Sequence, residues 1–222
     1  MLPNKSDRQV KLMNEYLDLS GEEIRKLRSS GKISAKEILL ASEERIGVLN
    51  DVLKAIVSKR SPTALTEAVQ IDETGDLSGL FGLPVAIKDL NDVKGLATTY
   101  GSTLFKDNVA AKDDDVVASV RKNSGIIVGK TNVPEHGFGA TTTSPIFGAC
   151  GNPFDPNLSS GASTGGGAVA VASGMAVYAT GSDFAGSLRT PASFCGVCGI
   201  RPSNGIVATN RRSLAWSSFD VE

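Results

Sequence analysis

The sequence predicts an α/β fold: a mixed, mostly parallel β-sheet core flanked by α-helices. Three observations carry this. Short apolar runs of strand length recur along the chain, and they alternate with amphipathic stretches of helical period. The strand-like runs are apolar throughout rather than alternating, as in sheets covered on both faces. With 41% hydrophobic and 21% charged residues, the 222-residue chain has the composition of a protein that buries an ordinary core. No internal repeat or low-complexity segment divides it, so one domain is expected over 1–222, with residues 1–20 as a flexible or helical extension.

Taken in order, amphipathic patterns predict helices over 21–30 and 34–49. The second opens on Ser34 with Glu37 three residues on, a capping-box signature. Residues 61–80 read as a helix and loop, and the run Gly82-Leu83-Pro84-Val85-Ala86-Ile87 as a buried strand over 84–88. A helix over 113–124, a strand over 126–130, a helix over 165–174 and strands over 177–180 and 198–201 follow.

A formal net charge of −1, with basic residues scattered, argues against capture of nucleic acid or an anionic membrane surface. The longest apolar stretch, 168–179, is short for a membrane span. The N-terminus, with Asn4, Lys5, Asp7 and Arg8, has no apolar core and is no signal peptide. Three cysteines, Cys150, Cys195 and Cys198, make no even disulfide framework and favour a reducing, cytoplasmic compartment. Cys195-Gly-Val-Cys198 has the spacing of a redox or metal motif, but no second pair completes a zinc site and its flanks are apolar. Buried structural thiols are expected, with no metal and no organic cofactor.

The chemistry is expected where glycines surround serines: Gly161-Ala162-Ser163-Thr164-Gly165-Gly166-Gly167 and Gly181-Ser182-Asp183-Phe184-Ala185-Gly186-Ser187-Leu188-Arg189-Thr190-Pro191. Glycines let the backbone turn sharply and bring N–H groups against a substrate, the requirement of an oxyanion hole. Ser187 is the candidate nucleophile, with the backbone N–H groups of Phe184, Ala185, Gly186 and Ser187 as candidate oxyanion donors; the plain alternative is a serine serving a tight turn. The one histidine, His136, lies in the polar turn Asn132-Val133-Pro134-Glu135-His136-Gly137 and reads as a loop residue near the substrate entrance. Lys88, ending the first apolar strand, is the candidate base, since an amine among hydrophobic neighbours loses its proton readily. Its plain alternative is a snorkelling lysine paired with Asp89 or Asp92. A glycine-rich loop before a helix also suits phosphate, but no Lys-Ser/Thr follows Gly161 to Gly167 and no G-x-G-x-x-G follows the first strand.

Three motifs are similar to those of the amidase signature family. Gly82-Leu83-Pro84-Val85-Ala86-Ile87-Lys88-Asp89 resembles its lysine motif, Gly161-Ala162-Ser163-Thr164-Gly165-Gly166 its bridging-serine motif, and Gly181 to Arg189 its nucleophile motif. The separations, 75 residues from Lys88 to Ser163 and 24 from Ser163 to Ser187, also resemble those of family members. The likeness runs from about Gly21 onward and includes Asp113-Asp114-Asp115-Val116-Val117, Gly129-Lys130-Thr131-Asn132-Val133-Pro134-Glu135 and Phe194-Cys195-Gly196-Val197. It departs at Ala162, Thr164 and Ala185, which stand where the family usually has glycine, serine and glycine.

The resemblance implies an amide hydrolase with a Ser-Ser-Lys triad working through an acyl-enzyme. Ser187 is the nucleophile, Ser163 relays the proton and Lys88 is the base. The family's bridging serine follows a cis peptide bond; an N-cap role for Ser163 or Thr164 is the alternative. Asp183 and Arg189 are expected to pin the nucleophile loop. A small-molecule amide is the implied substrate. Family members continue past the segment similar to Ser217-Ser218-Phe219-Asp220, so the domain is expected to be incomplete at its C-terminus. A homodimer or a complementing C-terminal chain is then the partner arrangement. The glutaminase subunit of a tRNA-dependent amidotransferase and a fragment inactive alone are the alternatives.

Overall fold

The computed structural model describes residue 16 and residues 18–207. Most of the expected extension over 1–20, and the segment Ser217 to Asp220, lie outside the described residues.

Local chemistry starts the first two helices. Before α1 (Gly21–Ser29), the Ser20 hydroxyl accepts from the Glu23 N–H while the Glu23 carboxylate accepts from the Ser20 N–H, and Ser34 and Glu37 repeat the arrangement before α2 (Ala35–Leu53). Strand β1 (Ile56–Lys59) has only four residues and is half-buried, so it carries no clear apolar run. The Asn50 side chain holds its start, donating to the Ile56 carbonyl at 2.8 Å and accepting from the Ile56 N–H at 2.7 Å. Helix α3 (Ser61–Thr74), strand β2 (Pro84–Lys88), helix α4 (Asp115–Lys122) and strand β3 (Ile126–Thr131) follow, every residue of both strands being buried. The small hairpin β4 (Thr143–Ser144) and β5 (Gly148–Ala149), helix α5 (Gly165–Ala172), strand β6 (Tyr178–Ala179) and helix α6 (Arg189–Cys195) complete the described elements, with short 3-10 turns at Thr103–Phe105 and Glu135–Gly137. No helix among the described residues is long and apolar enough to cross a membrane.

The main sheet has the order β1-β3-β2-β6, with β2 parallel to both neighbours and β1 antiparallel at the edge. Successive residues of a strand face opposite sides, and the two packed clusters follow that rule. Ala86, Ile126 and Val128 join Leu39, Ala64 and Val169 beneath α2, α3 and α5, whereas Val85, Ile87 and Ile127 join Val117 of α4 on the other side.

The β2–β3 pairing contains a one-residue bulge. Val85 lies beside Ile127 but Ala86 beside Gly129, so Ile87 pairs with Lys130 and Lys88 with Thr131.

One expected element is corrected. Residues 198–201 form no strand: Ile200 is exposed, and among the described residues no ladder pairs the segment with a strand. The turns before it form α6 instead, which ends at Gly196 with φ +69°.

Helix α5 begins hard against the strand ends. A Cβ on Gly166 would lie 2.4 Å from the Asn132 nitrogen and 2.9 Å from the Ala55 carbonyl oxygen, so only glycine allows this approach. Gly166→Ala is therefore expected to cost on the order of 1–3 kcal/mol by overpacking. The check is a urea midpoint that falls while the slope is unchanged; a wild-type midpoint would contradict the packing.

Candidate active site

The site forms where the end of β2 meets the start of α5 and the turn between β6 and α6. Lys88, the last residue of β2, is fully buried. Its Nζ donates to Ser163 Oγ, Thr164 Oγ1 and Ser182 Oγ, each at 2.8 Å. The expected hydrophobic surroundings are thus replaced by a cluster of hydroxyls, because the two glycine-rich loops converge on the strand end. Asp89, the alternative partner for Lys88, accepts instead from Lys130 Nζ at 2.8 Å.

Ser163 follows a cis Ala162–Ser163 peptide. Thr164 is the N-cap of α5, yet its hydroxyl makes no capping bond. Its Oγ1 accepts from Lys88 and donates to the Ser182 carbonyl at 3.4 Å. The 3-10 turn at Glu135–Gly137 lies over this cluster, since a Cβ on Gly137 would approach Ser163 Oγ to 3.9 Å. His136 in that turn is exposed, donating its N–H to the Tyr100 carbonyl with its ring edge-on to Phe105.

Ser187 is half-buried in the turn before α6. Its carbonyl accepts from the Thr164 N–H at 3.1 Å, stitching this turn to the start of α5. Gly186 has φ +105°, a conformation glycine reaches without steric cost, whereas Ala162 and Ala185 are not among the residues with positive φ. The alanine departures therefore leave the loop backbone unstrained in that respect.

The turn is shaped around Asp183, whose side chain has no exposure. Its carboxylate accepts from the Gly186 N–H at 2.8 Å, the Leu188 N–H at 3.2 Å, the Arg189 N–H at 3.3 Å and the Arg189 guanidinium at 2.9 Å from both Nε and Nη2. Arg201 Nε donates to the Asp183 carbonyl at 2.8 Å. The Arg189 guanidinium and these backbone donors hold the Asp183 carboxyl well below the usual carboxylate range. The Gly186 N–H, expected among the oxyanion donors, is thus engaged by Asp183.

Ser182 at the site and Lys130 as the partner of Asp89 are additions to the expected residues. Ser182 stands inside the nucleophile motif, five residues before Ser187, so its hydroxyl was legible in principle.

The C-x-x-C pair is divided: Cys195 is buried and Cys198 exposed, which corrects the expectation of two buried thiols there. Burial pushes the Cys150 thiol up to about 12 and the Cys195 thiol to about 11, so neither supplies a thiolate nucleophile near neutrality. An apolar groove of about 440 Å³, lined by Gly181, Leu188, Ala192 and Ile200 among others, adjoins the turn without Lys88, Ser163 or Ser187 in its lining.

Comparison with known proteins places the family and the fold. The family profile described as Amidase matches residues 37–222. The A subunit of glutamyl-tRNA(Gln) amidotransferase from Chromohalobacter salexigens is 36% identical over 194 residues, covering 86% of this chain and 40% of that protein. A bacterial aryl acylamidase belonging to the amidase signature enzymes superposes with a TM-score of 0.83 at 31% identity, over 89% of this chain and 42% of that one. The 6-aminohexanoate cyclic dimer hydrolase, solved with substrate, gives a TM-score of 0.74 at 32% identity, over 81% of this chain and 37% of that one. The chain thus spans about two-fifths of the length of the first of these relatives. Over that span, in profile, sequence and fold, the chain belongs to the amidase family, whose signature motifs its own sequence resembles.

Proposed function

We propose that this chain carries the reacting groups of an amide hydrolase, with Ser187 as nucleophile, Ser163 as proton relay and Lys88 as base. The 2.8 Å contact between Lys88 Nζ and Ser163 Oγ carries the reading, joined by the bond that ties the Ser187 carbonyl to the Thr164 N–H. Ser187 Oγ bonds to the amide carbon while its proton passes to Ser163 Oγ, and the Ser163 proton passes to the neutral Lys88 amine. The tetrahedral oxyanion is met by the N–H groups of Phe184, Ala185 and Ser187, and Gly186 shapes the turn that presents them. The proton then returns through Ser163 to the leaving nitrogen as the C–N bond breaks. Water, deprotonated along the same relay, releases the acid and restores Ser187.

The substrate is a small-molecule amide, and free thiols at Cys150, Cys195 and Cys198 fit a cytoplasmic setting. The likeness to one subunit of an amidotransferase supports a second reading, in which glutamine is the amide and the ammonia passes to a partner. Comparing glutamine with aryl and acyl amides as substrates separates the two.

A fluorophosphonate probe followed by intact mass tests the nucleophile. Ser187→Ala is expected to abolish labelling, and Lys88→Met to slow it about a hundredfold or more. Folded wild-type chain that stays unlabelled, or label retained in Ser187→Ala, would overturn the assignment. Since the base must be neutral, the labelling rate is expected to rise with pH.

Asp183 behaves differently. Its depressed pKa contributes stability above the unfolded value of about 3.9, and this is lost as pH falls through the folded value, so Asp183 stays charged throughout the working range. Asp183→Asn, read by urea unfolding, is expected to lose about 1–3 kcal/mol of stability and to lower labelling by the same factor at every pH above 6. A pH-dependent loss would contradict a purely structural anchor.

A further inference from the structure

The end of β3 holds a second buried lysine that the proposed reaction does not use. Lys130, on β3, has no exposure, and neither in effect does Asp89, whose side chain is 1% exposed. Lys130 Nζ donates to Asp89 Oδ1 at 2.8 Å, Thr98 Oγ1 at 3.1 Å and the Ala97 carbonyl at 3.3 Å. Asp89 also accepts from the N–H and hydroxyl of Thr99, and its own N–H donates to the Thr131 carbonyl at 3.2 Å. Asp89 follows Lys88 directly in sequence and so leaves the strand end toward the opposite face. The bulge places Lys130 beside Ile87, on that same opposite face, while Thr131 lies beside Lys88.

A buried carboxylate next in sequence to a buried amine is the natural partner of that amine, and such a pairing would hold the proton on it. Resting on the reading of Lys88 as base, we propose that Lys130 is a positioning residue for the reaction. By taking the Asp89 charge on the far face of the sheet, it fixes the end of β2 and leaves the Lys88 amine to Ser163, Thr164 and Ser182. In the loops around the site, the Asp183 charge is met by Arg189 and Arg201 in the turn after β6, and Glu135 and the titratable His136 are exposed in the turn above Ser163. Helix α5 carries no ionisable side chain, and α2 buries none that is charged. Replacing one member of the Asp89–Lys130 pair therefore changes the charge beside Lys88, while replacing both restores it.

The test follows the lysine Cε carbon resonances of selectively labelled protein against pH, with the Lys88 signal assigned by its loss in Lys88→Met. In Lys130→Met, the lone Asp89 charge is expected to raise the Lys88 midpoint by about one pH unit or more. In Asp89→Asn, the lone Lys130 charge is expected to lower it, and in Asp89→Asn/Lys130→Met it returns to the wild-type value. A merely structural role moves all three variants in one direction. Midpoints that stay at the wild-type value in the single variants, or that shift alike in all three, overturn the proposal. If one single variant fails to fold, the other and the double variant still give the sign. This readout needs no turnover, so a failure of Ser187 labelling overturns the hydrolase reading without deciding this one.

Discussion

The extra residue in β3 is the constraint on which the rest of the site depends. Below it, Pro84 lies beside Ile126; above it, Lys88 lies beside Thr131. Had the lower register continued, Lys88 would sit beside Lys130, putting two buried ammonium groups on one face of the sheet. Like charges side by side repel most strongly where water is absent. A one-residue shift reverses the face of everything beyond it, so the bulge sends Lys130 to the Asp89 side and leaves Thr131, a neutral neighbour, on the Lys88 side.

The two faces then have different chemistry. On one, a buried ion pair ties the ends of the two central strands together; Lys130 reaches three acceptors, as many as an ammonium has protons. On the other, hydroxyls from two loops surround Lys88. Those loops have little regular structure, and they are held by bonds across them: Thr164 N–H to the Ser187 carbonyl, and Asp183 to the backbone that follows it. Five donors on one carboxylate make the nucleophile turn a consequence of Asp183, with Arg189 and Arg201 closing it from outside. The close seating of α5 on the ends of β1 and β3 fixes the third side.

What the sequence disclosed follows from how local each signal is. β2 and β3 are continuous apolar runs, and Ser34 with Glu37 is a contiguous cap, so all three could be read directly. β1 escaped because a half-buried edge strand carries no strong pattern, and residues 198–201 misled because an apolar run becomes a strand only where a ladder pairs it. Lys88, Ser163 and Ser187 stood out through their motifs. The hydroxyl shell did not, nor did the Asp89–Lys130 pair: which face Lys130 takes is decided by the bulge, a matter of register between strands some 40 residues apart in sequence. An amine at a strand end therefore reads as lying among apolar neighbours when its surroundings come from loops nearly a hundred residues away, Ser182 being 94 residues from Lys88.

The hydroxyl shell also distinguishes its three members. A neutral amine has two N–H donors and one lone pair, so of three hydroxyls at 2.8 Å only one can give it a proton while the other two accept. The Thr164 hydroxyl has an acceptor of its own in the Ser182 carbonyl, which turns its oxygen toward Lys88 as an acceptor. Ser182 precedes Asp183 in the anchored part of the turn and lies five residues from Ser187, whereas Ser163 adjoins Thr164, whose N–H is bonded to the Ser187 carbonyl. On the proposed reading, this makes Ser163 the member that donates to the lone pair, and it casts Thr164 and Ser182 as the acceptors that aim it.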